Sequence, residues 1–495
     1  MLKGEKMLNR YIWELYLNSG GTRVVELFRK NLEDELTEEY AEEIALMHKR
    51  YCPMEGLSNE IENQLKALAE EYRNIKNEAD DAEMSEELYG DPLDDLYKQY
   101  EGDLGNPADI FADFAYMLPF YSTNLAILYP EEYVPYYYRL NYNVLQKIAD
   151  TFDIELPTIP AKKEYKKRFF FYADVSRALI SYGKENNLSQ YELYAFLYDF
   201  APKYIGGKDS YIIKDLPEPH SAYFIGASES DRYLYKNKDI IDLWQCSPET
   251  RAGDMIVMYI RTPVSAVNSI WRACSLGFND PFFFYYRCVY ISSPVGIKPF
   301  SLAEIKKDPV FKELPIVRKN MQGVNGVELK PSVYNYLVAK SGSQVNTLEY
   351  VETKCEGEYS REKDVEEKLI VPLIQKLGYR EDDYKRQMYV EIGNHNNTLI
   401  PDFVLLPNER RGSASAFAII EAKRSIPYKK KLEDVMVQAK SYAKLLTARY
   451  CVVAAQEKIW IAERRDNYDS FIFEASWEQL NDADVFFDLD KMLGK

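Results

Sequence analysis

The spacing of apolar residues divides the chain into three parts. In residues 1–210, apolar side chains recur every three or four positions, as in Val24–Leu32 and Lys163–Tyr182, and this predicts a mostly helical region. Ser19, Gly20 and Gly21 interrupt the first helical pattern. No chemistry is apparent in this acidic part. We therefore expect a scaffold or interaction region, through which two copies could form a homodimer.

Two segments of the helical region have unusual compositions. Residues 80–103 are so acidic and polar that we expect a linker or loop instead of packed structure. Tyrosines crowd residues 133–142, including Tyr136, Tyr137 and Tyr138. On an acidic domain, such aromatic runs more often fill a core or a protein interface than stack on bases.

Residues 211–345 change to a pattern of short strands. The runs at 223–225, 255–260 and 282–291 are aromatic and β-branched, and Gly, Pro and Asn separate them. This pattern predicts a small open β-barrel with short helices. The segments Ser341-Gly342-Ser343 and Cys355-Glu356-Gly357 are expected to join it to the last part of the chain.

Residues 346–495 have the pattern of an α/β domain. Phe403–Leu406 and Ala416–Ile420 are short apolar runs joined by a polar, turn-like segment, which predicts a hairpin. Asp402 begins the first run, while Glu421 and Lys423 follow the second. Side chains at i and i+2 of a strand project from one face, so Glu421 and Lys423 point together. A neighbouring strand can place Asp402 beside them.

These three residues suit a particular chemistry. Mg²⁺ prefers carboxylate and water oxygens, usually one or two protein carboxylates completed by a substrate phosphate. Asp402 and Glu421 would hold the metal, which lowers the pKa of a bound water and stabilises charge on the phosphorus oxygens. Lys423 would orient that water. The alternative interpretation is an ordinary strand end with solvated charges.

Two predicted helices could contribute to the same pocket. Residues 431–446 have helical spacing, which puts Gln438 and Tyr442 on one face as an i, i+4 pair. Residues 361–379 form a second helical pattern with a Gly stop, and this helix could offer Glu362 or Glu366.

Four elements in Arg361–Trp460 stand in the order of a known superfamily: a Glu-x-x-x-Glu helix, Pro-Asp, Glu-x-Lys and Gln-x-x-x-Tyr. The segment resembles the PD-(D/E)xK nucleases, and most closely the N-terminal nuclease domain of type I restriction enzyme R subunits. The helicase motor motif Gly-x-x-x-x-Gly-Lys-Ser/Thr is absent from the sequence. The resemblance implies a metal-dependent endonuclease with Mg²⁺, or Mn²⁺ in its place, on Asp402 and Glu421. The implied catalytic residues are Glu362, Glu366, Asp402, Glu421, Lys423, Gln438 and Tyr442.

The middle region resembles an EVE domain of the PUA-like superfamily over Pro219–Ala339. The resemblance rests mainly on Asp242-Leu243-Trp244 and the strand that begins Gly253-Asp254. It implies a pocket that reads a modified base, since a flipped base stacks on aromatic side chains. For each candidate, ordinary core packing is expected at least as strongly as a role in base binding, because aromatic residues also fill the cores of small barrels. The candidate base-binding residues are Tyr223, Trp244, Tyr259 and Trp271.

Charge and cysteine content refine this picture. The net charge of −17 over 495 residues belongs to residues 1–200, which carry −17, while 201–340 carry +4 and 341–495 carry −4. A basic cluster at Lys423, Arg424 and 429–431 could neutralise phosphates or could be a solvated loop.

Six scattered cysteines without a Cys-x-x-Cys pair suit a reducing compartment. No signal peptide or membrane-length apolar run is recognisable, so a cytoplasmic protein without membrane contact is expected.

The sequence therefore predicts a multidomain protein: a mostly α region (1–210), a PUA-like small β-barrel that reads modified bases (211–345) and an α/β nuclease domain (346–495). The expected function is modification-dependent restriction of DNA in prokaryotic antiviral defence, by Mg²⁺-dependent hydrolysis of phosphodiesters. Two alternatives stay open. The nuclease-like domain could be a non-catalytic nucleic-acid sensor, or the barrel of an active nuclease could dock RNA or protein.

Overall fold

The computed structural model describes residues 8–34, 36–79, 91–349, 359–391, 398–410 and 413–495. The chain forms two compact units, Met1–Thr347 and Leu348–Lys495. The first unit contains both the helical region and a curled sheet, and the second contains another sheet. The expected multidomain chain with a helical N-terminal region is confirmed at this level. The predicted joining segment Cys355-Glu356-Gly357 lies outside the described residues.

Helices dominate the first two hundred residues. Short π-helical turns at Leu17–Gly21 and Lys30–Asp34 follow the first two helices, and a third at Phe196–Phe200 joins the last two. Gly20 has a φ of 114°, which breaks the helix where the sequence predicts it. The helices are α1 (Arg10–Tyr16), α2 (Thr22–Arg29), α3 (Glu38–Tyr51), α4 (Glu55–Ala79), α5 (Pro92–Leu104), α6 (Pro107–Leu128), α7 (Tyr142–Phe152), α8 (Tyr165–Glu185), α9 (Gln190–Ala195) and α10 (Ala201–Tyr204).

An aromatic core holds these helices together. Tyr136, Tyr137 and Tyr138 are all buried in it, as expected for a core-filling run. The hydroxyl of Tyr137 contacts those of Tyr40 (2.8 Å) and Thr123 (2.7 Å), which satisfies its polar end inside the core. The tyrosine run therefore stabilises the helical region and is not available to stack on bases.

The expectation of a loop over residues 80–103 is wrong for its second half. Residues 92–104 form α5, and Asp91 caps it by accepting a hydrogen bond from the backbone N–H of Leu93. Leu93 and Tyr97 lie four residues apart on one face and are buried. One apolar stripe is enough to pack a helix whose acidic residues face solvent. The overall composition of the segment does not reveal such a stripe. Residues 80–90 lie outside the described part of the chain.

A seven-stranded sheet follows the helices, with the strand order β2-β6-β4-β3-β1-β7 and β5 paired to β6. β6 bends along its length, because register shifts interrupt its pairing with β4 near Val267 and Ile270. Short helices α11 (Leu302–Lys307), α12 (Pro315–Arg318) and α13 (Pro331–Ser341) complete this part. The strands are β1 (Ala222–Ala227), β2 (Asp242–Gln245), β3 (Met255–Ile260), β4 (Ala266–Ala273), β5 (Phe278–Asn279), β6 (Arg287–Ser301) and β7 (Val327–Leu329).

The predicted strand at 282–291 is wrong in its first half, because β6 begins at Arg287. Residues 282–286 form a turn that Asp280 caps by accepting the backbone N–H groups of Phe282 (2.8 Å) and Phe283 (3.1 Å). Phe282 is buried in the helical core. The aromatic run thus serves tertiary packing against the helices, which overrides its strand propensity.

The second unit is a six-stranded sheet with helices on both faces. Its order is β17-β16-β15-β14-β11-β8; β14 and β15 are parallel, and α16 connects them. α16 packs on one face, while α14, α15 and α17 pack on the other. The helices are α14 (Glu362–Val365), α15 (Val371–Lys376), α16 (Lys429–Leu445) and α17 (Ala483–Leu493), with a π-helical turn, Glu366–Ile370, between the first two. The strands are β8 (Tyr384–Arg386), β9 (Val390–Glu391), β10 (Thr398–Leu399), β11 (Phe403–Leu405), β12 (Asn408–Arg410), β13 (Ser413–Ser415), β14 (Ala418–Ala422), β15 (Tyr450–Ala454), β16 (Lys458–Glu463) and β17 (Phe471–Ser476).

Among the described residues, every helix is too short or too polar to cross a membrane.

Candidate active site

The predicted hairpin places Asp402 and Glu421 opposite each other. β11 and β14 are antiparallel with Phe403 paired to Ile420, so the preceding Asp402 and the following Glu421 face each other across the two strands. The backbone N–H of Ala422 donates to Oδ2 of Asp402 (2.8 Å), which fixes this carboxylate at the end of β14. The two acids are therefore neighbours because of strand register.

Lys423 joins the strand acids to the helix. Its Nζ lies 2.6 Å from Oε1 of Glu421 and 3.7 Å from Oε1 of Glu362 on α14. Burial acts to lower the pKa of Lys423, but Glu421, Glu362 and Asp402 raise it and prevail. Lys423 is therefore held as an ammonium between two carboxylates.

Glu421 is the most perturbed acid of the cluster. Burial, followed by the charge of Asp402, raises its pKa to about 7, although the hydrogen bond from Lys423 acts in the opposite direction. Its Oε2 is buried and has no hydrogen-bond partner among the described residues. A buried carboxylate oxygen without a donor is costly, so this oxygen keeps an unused capacity to accept a hydrogen bond or bind a cation.

The carboxyl of Glu366 lies in the same electrostatic cluster. Its pKa is raised, first by burial and then by the charge of Asp402, whereas Arg386 lowers it. Burial also raises the pKa of Asp402, and the Ala422 N–H and Lys423 offset part of that rise. The structure thus brings together Asp402, Glu421, Lys423 and both predicted helix acids.

Gln438 and Tyr442 lie on α16, as the sequence predicts, and contact each other. Nε2 of Gln438 donates to the hydroxyl of Tyr442 (2.9 Å). Tyr442 is only 8% exposed and belongs to the core beneath α16. Gln438 and Tyr442 thus bond to each other. In the described part of the chain, neither side chain makes a hydrogen bond to the acid cluster.

The carboxylates of Asp402 and Glu421 are donors of the type that Mg²⁺ prefers. In the described part of the chain, no group of three or more His, Cys, Asp or Glu side chains is arranged to hold a metal. Mg²⁺ needs no such cage, since one or two carboxylates, waters and a substrate phosphate complete its shell. Asp402 and Glu421 supply hard oxygen donors, including the unpartnered Oε2 of Glu421. The residues present are therefore compatible with the predicted cofactor.

The four aromatic residues proposed to bind a base are not all on one face of the first sheet. Tyr223 and Trp271 both pair with Ile256, on either side of β3, and are buried in the core on that face. Met258 and Ile260, which flank Tyr259, face the same core, so Tyr259 points to the opposite face. The structure does not place Tyr259 with the other candidates.

Trp244 differs from the three buried aromatics. It is half-buried at the rim of the same core, and its indole Nε1 donates to Oδ2 of Asp242 (3.3 Å). Burial raises the pKa of Asp242. Of the four predicted residues, Trp244 is the one with a partly accessible ring beside a polar group.

Two residues that support the site carry no recognisable signal in the sequence. Glu457 accepts hydrogen bonds from the hydroxyl of Ser425 and from the backbone N–H of Ile426 (2.9 Å), and so holds the segment that follows Lys423. Arg386 acts on Glu366 from the neighbouring strand β8. No local motif marks either residue, because each reaches the site through a different strand or turn.

We expect Glu421→Gln to alter the pH dependence of stability in the metal-free protein. In the folded protein the pKa of Glu421 is about 7, above its ordinary value of 4.5. Between pH 4.5 and 7, folded protein therefore keeps a proton on Glu421 that unfolded protein has released. Wild-type stability should fall as pH rises from 4.5 to 7, and Gln removes this loss. Urea unfolding in EDTA should show the variant more stable at alkaline pH, by on the order of 2 kcal/mol, with no difference near pH ~4. A difference that is constant with pH would contradict the burial of an ionisable Glu421.

Comparisons with known proteins give little beyond this geometry. Neither a family model nor a curated protein matches the chain. Two solved structures align with part of it: Rpa0253 from Rhodopseudomonas palustris, determined by NMR, and Atu2648 from Agrobacterium tumefaciens, determined by X-ray crystallography. Each is 14% identical and covers 25% of this chain and 93% of its own, with TM-scores of 0.22 and 0.20. A functional assignment therefore rests on the residues of this chain.

Proposed function

We propose that this protein is a Mg²⁺-dependent endodeoxyribonuclease of the PD-(D/E)xK type, acting in prokaryotic defence against modified DNA. The observation that carries the proposal is the cluster formed by Asp402, Glu421 and Lys423 with the helix acids Glu362 and Glu366. Ordinary solvated charges at a strand end do not account for a buried Glu421 with an unpartnered oxygen. Such perturbed carboxylates concentrate at functional sites.

Each residue of the cluster has a distinct role in this proposal. Asp402 and Glu421 would hold Mg²⁺, for which Mn²⁺ can substitute. When bound, the metal supplies Lewis-acid activation of water and neutralises charge on the phosphate. Lys423 orients the attacking water and stabilises negative charge, while Glu362 fixes the position of its ammonium group. Glu366 adds a carboxylate beside Asp402.

Gln438 and Tyr442 have a secondary role. Their mutual hydrogen bond fixes both side chains on α16. The Gln438 side chain is exposed and would contact a substrate phosphate, while Tyr442 stays in the core. Binding and orientation of substrate, and not proton transfer, is the role that this pair supports.

Substrate choice is assigned to the first sheet, as an EVE-like reader of a modified base. Trp244 supports this role, because its half-buried ring lies beside the carboxyl of Asp242. A stacked base needs one accessible aromatic face and a polar group at its edge. The helical region is proposed as a scaffold, through which two copies could pair to cut both strands.

A second candidate is a nuclease whose sheet region docks RNA or protein. The positions of Tyr223, Trp271 and Tyr259 favour it. Two of these rings fill the core and the third lies on the other face, so they do not form a cage around a base. In this case the sheet region would recruit the enzyme without reading a modification.

A digestion panel tests both candidates. Purified protein would be incubated with plain, methylated, hydroxymethylated and glucosylated DNA and with RNA, in Mg²⁺, Mn²⁺ or EDTA. The proposal expects metal-dependent cleavage that is strongest on one modified DNA. Equal cleavage of all DNAs would favour the docking alternative. Binding without cleavage in any metal would indicate a non-catalytic sensor and overturn the enzymatic proposal.

A further inference from the structure

Arg386 lies beside the acid cluster, on the neighbouring edge strand. β8 pairs with β11 so that Arg386 stands opposite Phe403, the residue after Asp402. The backbone N–H of Gln387 donates to the carbonyl of Asp402 (2.9 Å), which fixes the two strands at this point. The guanidinium carbon of Arg386 lies 5.1 Å from the centre of the Phe403 ring. Strand pairing therefore holds Arg386 on the Phe403 face of the sheet edge, where it pairs with Glu367.

The acid cluster carries more negative than positive charge, so binding a phosphate there requires a further cation. Glu362, Glu366, Asp402 and Glu421 would repel a phosphodiester, and their nearest cation, Lys423, is already engaged by Glu421 and Glu362. The charge of Arg386 reaches the cluster, since it lowers the pKa of Glu366. A second cation, Arg386, is therefore within electrostatic range of the cluster.

The side chain of Arg386 is accessible and only loosely held. It is 38% exposed, and Nη1 makes an ion pair of 2.9 Å with Glu367, which is itself 45% exposed. Exposed pairs of this kind contribute little to stability, so exchange for a stronger partner is easy. A guanidinium presents five N–H donors in a planar fork that matches phosphate oxygens.

We propose that Arg386 binds a substrate phosphate beside the acid cluster, exchanging Glu367 for the phosphate as the nucleic acid docks. This assignment rests on the proposed nuclease function and adds a substrate-binding residue to it. Arg386 supplies positive charge and orientation at the entrance to the cluster.

Arg386→Ala should weaken binding of DNA in EDTA by about tenfold and lower the slope of log Kd against log salt by about one charge. Arg386→Lys should keep most of the salt slope but lose part of the affinity, since a point charge cannot form the bidentate contact. Arg449→Ala is a matched control in the same unit. Arg449 also lies over an aromatic ring, that of Tyr450 (5.0 Å), and pairs with a glutamate, Glu463 (3.3 Å). It should behave as wild type.

Glu367→Gln separates substrate binding from a structural role. If Arg386 only stabilises the strand edge through Glu367, this variant should reproduce the loss seen in Arg386→Ala. If Arg386 binds phosphate, Glu367→Gln should leave DNA affinity unchanged or improve it. Fluorescence anisotropy with a labelled duplex measures all four variants.

The outcomes distinguish this inference from the function on which it rests. If wild-type protein cleaves DNA but Arg386→Ala binds and cleaves as well as Arg449→Ala does, Arg386 is not a phosphate ligand and the nuclease assignment stands. If wild-type protein neither binds nor cleaves DNA, both proposals are overturned.

Discussion

Replacing Asp402 with Asn, or Lys423 with Ala, should abolish DNA cleavage while leaving DNA binding in place. Asn can still accept the backbone N–H of Ala422, so the strand end is preserved while a metal-binding charge is lost. Removal of Lys423 takes away the cation between Glu421 and Glu362. Loss of one such electrostatic contribution to a transition state costs on the order of 10³-fold in rate.

Plasmid cleavage, scored by the loss of supercoiled DNA, measures the effect, and a gel-shift assay in EDTA follows binding. Asp383→Asn is the matched control, because Asp383 is an acid of the same unit that pairs with Lys495 (2.7 Å) outside the cluster. This variant should cleave as wild type does. Cleavage by Asp402→Asn at the wild-type rate would place the catalytic centre elsewhere in the chain.

Arg168→Ala should destabilise the first unit by about 3–5 kcal/mol, because it removes a buried guanidinium whose three nitrogens each donate a hydrogen bond. Arg168 on α8 is 0% exposed. It donates to the backbone carbonyls of Pro281 (2.9 Å), Lys162 (2.9 Å) and Phe283 (2.6 Å). Burial lowers its pKa to about 10, so the guanidinium stays charged at neutral pH.

Truncation of Arg168 also affects Asp280, whose carboxyl lies buried in the same turn. Burial raises the pKa of Asp280 to about 6, while backbone N–H donors and the charge of Arg168 lower it. Without Arg168, three carbonyls lose their donor and Asp280 loses its nearby positive charge. Each change alone is unfavourable in a region closed to water.

Urea unfolding followed by circular dichroism measures this loss. Arg177→Ala on the same helix is the control, since Arg177 is 72% exposed and pairs with Asp174 at the surface. Its effect should stay within about 0.5 kcal/mol. Arg168→Met restores apolar volume without the donors and should fall between the two. A loss of under ~1 kcal/mol for Arg168→Ala would mean that these hydrogen bonds contribute little.

Arg168 and Phe282 also account for the division of the chain into units. The sequence pattern separates a helical part from a strand part near residue 210. In the structure, the turn around Phe282 inserts its ring into the helical core, and Arg168 binds the carbonyls on both sides of it. The turn before β6 is therefore packed into the helical core, and the helices and the sheet belong to one compact unit, Met1–Thr347.

Local sequence was sufficient for the elements that form the candidate site. The apolar runs predict β11 and β14, and helical spacing predicts α16 and the helix ending before Gly378, whose φ is 89°. Asp402, Glu421 and Lys423 could be named because strand periodicity and register put them together without information from distant segments. The prediction that the tyrosine run fills a core is confirmed, because Tyr136, Tyr137 and Tyr138 are buried and base stacking would require exposed rings.

Contacts between distant segments decided the rest. Whether Tyr259 shares a face with Trp271 depends on which face of β3 meets the core, and a strand buried on both faces has no alternation to reveal it. The position of Arg386 opposite Phe403 depends on β8 pairing with the edge of β11. Burial of Glu421 raises its pKa to about 7, and the other charges that act on it come from Asp402, Lys423 and Glu362, which tertiary structure brings to the same place.

Local patterns predicted which residues could form the site and which elements carry them, because periodicity and turn residues act over a few positions. Which of those residues meet, which are buried and which cation lies near the acids depend on the packed fold. Packing of segments far apart in the chain sets these properties, and no local pattern encodes them.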